Sequence, residues 1–229
     1  MRTAQVLILD GDDTLWENNV YFEQSIEDFI DFVDHSRLTR EQVRAALDEV
    51  EGLNAGVHGY GSAAFARNLR ETYEHLTERD VEPAALDYLM GLARRITEAK
   101  LELLPEVAET LEYLQPRHRL LLFTKGQPEE QRLKVQLSGL IDRFDAVVVA
   151  REKDVPAYRE LVAGHAIDRA RAWMVGNSPR SDINPALEAG LHAIYIPHPH
   201  TWRLERADLA PANQRLLVLE SFGRLREHF

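Results

Sequence analysis

Three aspartates within four residues form the densest group of reactive side chains in the chain. Asp10, Asp12 and Asp13 lie in the stretch Leu-Asp-Gly-Asp-Asp-Thr-Leu that covers residues 9–15. Carboxylates this close repel one another, and a fold keeps them together where a positive charge relieves that repulsion. Mg²⁺ prefers oxygen ligands and keeps some of its waters, so one or two carboxylates suffice to bind it. The cluster therefore predicts a divalent-cation site, with a solvated acidic turn as the alternative.

The elements around the cluster predict where it lies. A short apolar run at residues 5–9 leads into it, which is typical of a buried parallel strand. From residue 105, apolar runs alternate with helical patterns, which predicts βαβ units and a parallel sheet. The further predicted strands are 120–123, 146–149, 172–175 and 193–196, with 216–219 as a possible edge strand. Ligands bind beyond the carboxyl ends of such strands, which is where the aspartates are expected.

Residues 19–100 have a different character. Their apolar residues recur at helical spacing in four stripes, which predicts a small helical bundle with a glycine-rich loop at 52–61. We therefore expect a doubly wound α/β core with a parallel sheet, made of residues 1–16 and 101–229. An α-helical bundle cap, residues 17–100, is expected to be inserted after the first strand.

Composition narrows the class of partner. The net charge of −11 argues against nucleic acid and anionic lipid as partners. The absence of cysteine excludes disulfides, thiolate metal sites and cysteine nucleophiles, and it fits a reducing cytosol. No apolar stretch approaches the roughly 20 residues that span a bilayer. These observations predict a cytoplasmic protein that acts without a membrane or nucleic-acid partner. The sequence leaves the oligomeric state open between a monomer and a homodimer.

The aspartate cluster resembles the first motif of the haloacid dehalogenase-like (HAD) superfamily, in which an apolar strand runs into Asp-x-Asp-x-Thr. Three further segments match that superfamily in the expected order, each at the end of a predicted strand: 122–126, 152–158 and 175–183. The match covers the whole core, while the cap fits only as a type. The resemblance implies a Rossmann-like core and hydrolase activity.

The resemblance also implies roles for individual residues. Asp10 would be the nucleophile that forms an aspartyl-phosphate, and Asp12 would protonate the leaving oxygen and later deprotonate water. Thr124 and Lys153 would hold the phosphoryl oxygens as catalytic groups, and the site would also be lined by Lys125 and Gly126. Because a phosphate ester needs a proton donor and a halide does not, Asp12 favours a phosphatase over a dehalogenase.

The same resemblance implies a Mg²⁺ site built from Asp10, Asp12, Asp182 and Asn177, with Asp12 contributing its backbone carbonyl. Asn177 departs from the family pattern, which usually has an acidic residue at this position. An amide oxygen can meet the metal or one of its waters but brings no charge. Because of this departure, the possibility that the chain is a catalytically weakened binding protein stays open. A dehalogenase or a phosphomutase on the same scaffold are further alternatives.

Substrate contacts are expected from the cap. Asn54, His58 and Tyr60, in the glycine-rich segment, are the predicted substrate-binding residues there. The alternative is that the glycines only provide a flexible link between cap helices. The expected function is a Mg²⁺-dependent phosphatase acting on a small phosphorylated metabolite, such as a sugar phosphate or a nucleotide.

Overall fold

The computed structural model describes residues 4–211 and 214–229. The chain divides into two compact units, Met1–Asn19 with Leu101–Phe229 and the intervening Val20–Lys100. Each unit is described by itself. The roles predicted for them, catalytic core and cap, stay predictions. Among the described residues, no helix has both the length and the apolar character that crossing a membrane requires.

The first unit is built on a parallel sheet of six strands. In spatial order β3-β2-β1-β4-β5-β6, every neighbouring pair is parallel. The strands are β1 (Val6–Leu9), β2 (Arg119–Lys125), β3 (Ala146–Ala150), β4 (Ala172–Gly176), β5 (His192–Tyr195) and β6 (Leu216–Val218). Strand order reverses at β1, beside which β2 and β4 both lie, and ligands bind at such a reversal. The predicted α/β fold class is confirmed.

Helices cover both faces of this sheet because alternate strand residues point to opposite sides. Leu7 and Leu9 pack with one apolar cluster, which includes residues of α5, and Ile8 packs with another, which includes residues of α7. The helices of this unit are α5 (Val107–Leu114), α6 (Pro128–Leu137), α7 (Val155–Gly164) and α8 (Asn184–Glu188). A π-helical turn at Pro179–Ile183 precedes α8. The arrangement leaves the carboxyl ends of the strands for polar loops.

The second unit consists of four helices around one apolar cluster. They are α1 (Asn19–Val33), which begins in the last residue of the first unit, α2 (Arg40–His58), α3 (Ser62–Leu76) and α4 (Pro83–Glu98). The predicted loop at 52–61 is wrong for most of its length, because α2 continues to His58. A helix that starts from a capping box at Thr39 propagates through Gly52 and Gly56, each of which costs only about 1 kcal/mol relative to alanine.

Candidate active site

Asp10 directly follows β1 and is almost completely buried, with 7% of its surface exposed. Its backbone N–H donates to the carbonyl of Val175 at 3.0 Å, which fixes the start of the loop against β4. The two carboxylate oxygens have different partners. Oδ1 accepts a hydrogen bond from Nζ of Lys153 at 2.6 Å, and Oδ2 accepts one from the hydroxyl of Thr14 at 3.0 Å.

Lys153, in the loop after β3, lies between two buried carboxylates. Its ammonium pairs with Oδ1 of Asp10 and with Oδ1 of Asp182. Burial by itself lowers the pKa of Lys153, but the two carboxylates outweigh burial and raise that pKa above its ordinary value. The lysine is therefore charged, and the group of three carries a surplus negative charge when both carboxyls are ionised.

Asp182 is held tightly by the loop that follows β4. Its Oδ2 accepts a hydrogen bond from the backbone N–H of Ser178 at 2.9 Å. A Cβ atom at Gly176 would lie 2.2 Å from that same oxygen, so only glycine admits the carboxylate here. Burial and the nearby charge of Asp10 raise the pKa of Asp182 to about 7, although Lys153 opposes them.

Asn177 lies beside Asp10 through a shared neighbour. Its Oδ1 is 3.4 Å from the Thr14 hydroxyl that also faces Asp10, and its Nδ2 donates to the hydroxyl of Thr201 at 3.1 Å. The amide is thus oriented with its oxygen toward Thr14. Asp10, Asn177 and Asp182 are all more than nine-tenths buried.

Asp12 lies on the α6 side of the loop. Its carboxylate accepts hydrogen bonds from Nε1 of Trp16 at 2.7 Å and from Nε2 of Gln131 at 2.9 Å. Nζ of Lys134 lies 3.0 Å from both of its oxygens. Sequence reasoning did not identify Gln131 and Lys134 as site residues. Their spacing of three on a helix that follows β2 was the only available signal.

Of the remaining predicted phosphate-site residues, Thr124 and Lys125 end β2 and Gly126 directly follows it. The Thr124 hydroxyl donates to Oε1 of Gln131 at 3.0 Å. The ammonium of Lys125 pairs with Glu205, which follows β5, and lies 3.1 Å from Oγ of Ser181, in the loop after β4. Gly126 has a φ of 145°, and a Cβ there would meet the Gln131 side chain at 3.0 Å, so the position favours glycine.

A second group of side chains that could bind a metal ion includes Asp13, which is three residues after Asp10. Asp13, Glu17 and His198 each offer one atom, and these atoms lie within 4.8 Å of one another. The Asp13 carboxylate also accepts the backbone N–H groups of Asn18 and Asn19 at 2.9 Å. Burial raises the pKa of Asp13 to about 7 despite those hydrogen bonds.

The predicted substrate residues of the helical unit lie on or next to α2. Asn54 donates from Nδ2 to Oδ1 of Asn68 at 3.0 Å and to Oε2 of Glu71 at 2.7 Å, both on α3. His58 is the last residue of α2, and Tyr60 follows in the link to α3. Their role in substrate binding stays a prediction.

A family comparison accounts for this arrangement. The model of the haloacid dehalogenase-like hydrolases matches residues 4–190. The chain belongs to this family of hydrolases. The resemblance inferred from the four motifs is confirmed, and so is the prediction of a HAD-like hydrolase.

The curated relatives match only part of the chain. The chain is 27% identical over 133 residues to the pyrimidine 5'-nucleotidase YjjG of Escherichia coli (strain K12), which covers 54% of this chain and 57% of that one. It is 30% identical over 82 residues to a phosphoserine phosphatase of Thermus thermophilus, covering 34% of this chain and 33% of that one. The chain thus spans from a third to somewhat over half the length of these curated relatives.

Solved structures of the family share the fold over the full chain. A haloacid dehalogenase-like hydrolase from Xanthomonas campestris superimposes with a TM-score of 0.84 at 26% identity, covering 100% of this chain and 95% of that one. An L-2-haloacid dehalogenase from Xanthobacter autotrophicus superimposes with a TM-score of 0.65 at 18% identity and 98% coverage of both chains. At that level of identity, the second similarity concerns the fold alone.

Proposed function

We propose that this HAD-like hydrolase is a phosphatase that hydrolyses a small phosphate monoester through an aspartyl-phosphate on Asp10. The observation that carries the proposal is the carboxylate of Asp12, two residues after Asp10 and held by Trp16, Gln131 and Lys134. An ester oxygen leaves as an alkoxide and needs a proton, which a positioned carboxyl group can supply. The two curated relatives, a nucleotidase and a phosphoserine phosphatase by name, act on esters of this kind.

In the first step an Asp10 oxygen attacks phosphorus, the bond from phosphorus to the ester oxygen breaks, and protonated Asp12 gives its proton to that oxygen. Burial raises the pKa of Asp10, Lys153 opposes that rise by pairing with Oδ1, and the charge of the lysine offsets the incoming phosphoryl group. Thr124 would turn its hydroxyl proton from Gln131 to a phosphoryl oxygen. In the second step water attacks the aspartyl-phosphate, Asp12 takes the water proton, and Asp10 is regenerated.

The residues present fit Mg²⁺. Asp10 and Asp182 are buried carboxylates that share one ammonium, and their surplus negative charge suits a hard cation with oxygen ligands. We propose that these two carboxylates, the backbone carbonyl of Asp12 and the amide oxygen of Asn177 would hold it. When bound, the ion would neutralise charge on the phosphoryl group.

A dehalogenase is the competing function on this fold. Solved dehalogenases share the architecture, and a carboxylate nucleophile can displace a halide as well as attack phosphorus. A halide leaves without a proton, so dehalogenation would not need a carboxyl group at Asp12 or the side chains of Trp16, Gln131 and Lys134 that hold it. A phosphomutase would use the same pair of aspartates and would return the phosphoryl group to a substrate rather than to water. A binding protein without turnover would bind the ester and leave it intact.

The test is hydrolysis of p-nitrophenyl phosphate with Mg²⁺ and with EDTA. We expect turnover that requires Mg²⁺ and falls to background in Asp10→Asn. Asp142→Asn, the same change at an exposed aspartate, should keep wild-type rates. A rise in melting temperature on adding Mg²⁺, reduced in Asp182→Asn, would test the metal site without any activity measurement. Release of chloride from 2-chloropropionate with no release of phosphate from any ester would contradict the proposal.

A further inference from the structure

Two residues of α6 surround the carboxylate that the proposed reaction uses as acid and base. We propose that Gln131 and Lys134 are positioning residues that hold Asp12 as the carboxylate acceptor for the proton of the attacking water. The inference rests on the proposed phosphatase function. It assigns the two residues to one half of that reaction, the hydrolysis of the aspartyl-phosphate.

Within the described part of the chain, the hydrogen-bond partners of the Asp12 carboxylate are all donors. Oδ1 faces Nε1 of Trp16 at 2.7 Å and Nζ of Lys134 at 3.0 Å. Oδ2 faces Nε2 of Gln131 at 2.9 Å and the same Nζ at 3.0 Å. These four hydrogen bonds fix where both oxygens of the Asp12 side chain lie.

Gln131 connects this carboxylate to the predicted phosphate-binding hydroxyl. The residue is only 3% exposed, with Nε2 toward Asp12 and Oε1 toward the hydroxyl of Thr124 at 3.0 Å. The amide orientation follows from chemistry, because an ionised carboxylate cannot donate and the –NH₂ group must face it. Thr124 is thereby the donor in the second bond. One buried amide thus fixes both side chains relative to each other.

Lys134 is fixed by acceptors on three sides. Besides Asp12, its ammonium donates to Oδ1 of Asn18 at 2.7 Å and lies 3.7 Å from Oε1 of Glu130 one turn earlier. Two carboxylates and an amide oxygen thus fix the position of the ammonium. An ammonium so placed, 3.0 Å from both oxygens, fixes the orientation of the Asp12 carboxylate.

Gln131 and Lys134 are expected to affect the second step of the reaction, the hydrolysis of the aspartyl-phosphate. There the water oxygen forms a bond to phosphorus, the bond from phosphorus to the Asp10 oxygen breaks, and the water proton goes to the Asp12 carboxylate. Inorganic phosphate leaves, and Asp12 is then protonated for the next leaving oxygen. Without Lys134 and Gln131 the acceptor would be poorly oriented, and the aspartyl-phosphate would accumulate.

Lys134→Met with p-nitrophenyl phosphate as substrate separates the steps. p-Nitrophenolate is a good leaving group that needs little protonation, so the first step should be spared. We expect kcat to fall about tenfold or more, KM to fall in proportion, and kcat/KM to stay within about twofold of wild type. Rapid mixing should show a burst of close to one p-nitrophenolate per active site. Lys134→Arg should restore part of kcat.

Two further variants complete the test. Gln131→Met, which keeps the size of the side chain, should give the same split between kcat and KM, so the proposal does not depend on the folding of one variant. Arg132→Met removes a charge from an exposed position of the same helix and should leave both constants unchanged. If both Lys134→Met and Gln131→Met lost kcat and kcat/KM equally and showed no burst, this proposal would be overturned. The phosphatase function would still stand. Absence of Asp10-dependent hydrolysis in the wild type would overturn the phosphatase function as well.

Discussion

A buried ion pair of the sheet unit and an exposed ion pair of the helical unit differ in what their charges depend on. In the sheet unit, Lys153 and Asp182 pair with side chains that are 2% and 1% exposed. In the helical unit, Arg40 pairs with Asp31 while their side chains remain 52% and 67% exposed. Water screens the exposed pair, so it adds little stability, whereas the buried charges depend on their partners alone. Buried charge with a surplus of one sign is expensive to keep, so stability alone does not explain its position at the strand ends.

The strongest test of this contrast is Lys153→Met. Removing the ammonium leaves Asp10 and Asp182 buried against each other without a counter-charge. We expect the free energy of unfolding at pH 8 to fall by about 3–5 kcal/mol, measured by urea denaturation in EDTA. The loss should shrink at pH 5, because the pKa of Asp182 lies near 7 even with Lys153 present. Phosphatase turnover should fall to background.

The control for that variant is Lys100→Met, the same substitution at an exposed lysine of the helical unit. It should leave both the free energy of unfolding and turnover unchanged. Equal stability losses for the two variants at pH 8 would contradict the claim that burial separates the two kinds of ion pair.

Most of the fold could be predicted because its signals are local. Short apolar runs bounded by polar loops identified β1 to β5, and strand–helix alternation identified the parallel sheet. The extent of α2 could not be predicted, since glycines at 52 and 56 suggested a loop. The helix continues because a capping box at Thr39 starts it and because buried residues such as Val50 anchor it.

The site could be predicted only where the chain order carries the information. Asp10, Lys153 and Asp182 each follow a strand of one parallel sheet, so topology alone brings them to the same edge. Contacts between distant elements have no such local signal. Lys125 was predicted to line the phosphate site, and its ammonium pairs with Glu205, eighty positions later. Gln131 and Lys134 were missed because a helix surface with polar residues usually faces solvent.

A smaller effect is expected at Asp13, where burial acts on one carboxyl group. Its pKa is about 7 in the folded protein, against an ordinary value of 3.8. Between about pH 4 and pH 7 the folded state holds a proton that the unfolded state has lost, so the free energy of unfolding must fall as pH rises. Between pH 5 and pH 8, in EDTA, we expect the free energy of unfolding of Asp13→Asn to fall by about 2 kcal/mol less than that of the wild type.

Asparagine is a suitable replacement because Asp13 has a φ of 59°, which asparagine tolerates, and because the amide oxygen can still accept the N–H groups of Asn18 and Asn19. His198 contributes a slope of opposite sign, since burial lowers its pKa. The quantity to compare is therefore the difference between wild type and variant at each pH. Parallel pH profiles for the two proteins would show that Asp13 is ionised throughout.

The smallest effects are expected in the helical unit, and they rank by burial. Arg44 forms a two-bond contact with Glu23, at 2.6 and 2.9 Å, and its side chain is only 16% exposed. Arg44→Met should therefore lower the free energy of unfolding by about 1 kcal/mol, and high salt should weaken the effect only in part. Arg40→Met removes single contacts with Glu27 and Asp31 at an exposed position and should change nothing measurable. Urea denaturation of both variants at low and high salt gives the ranking. If Arg40→Met proved as costly as Arg44→Met, solvent exposure would not be what distinguishes these ion pairs, and the contrast with the buried site would lose its physical basis.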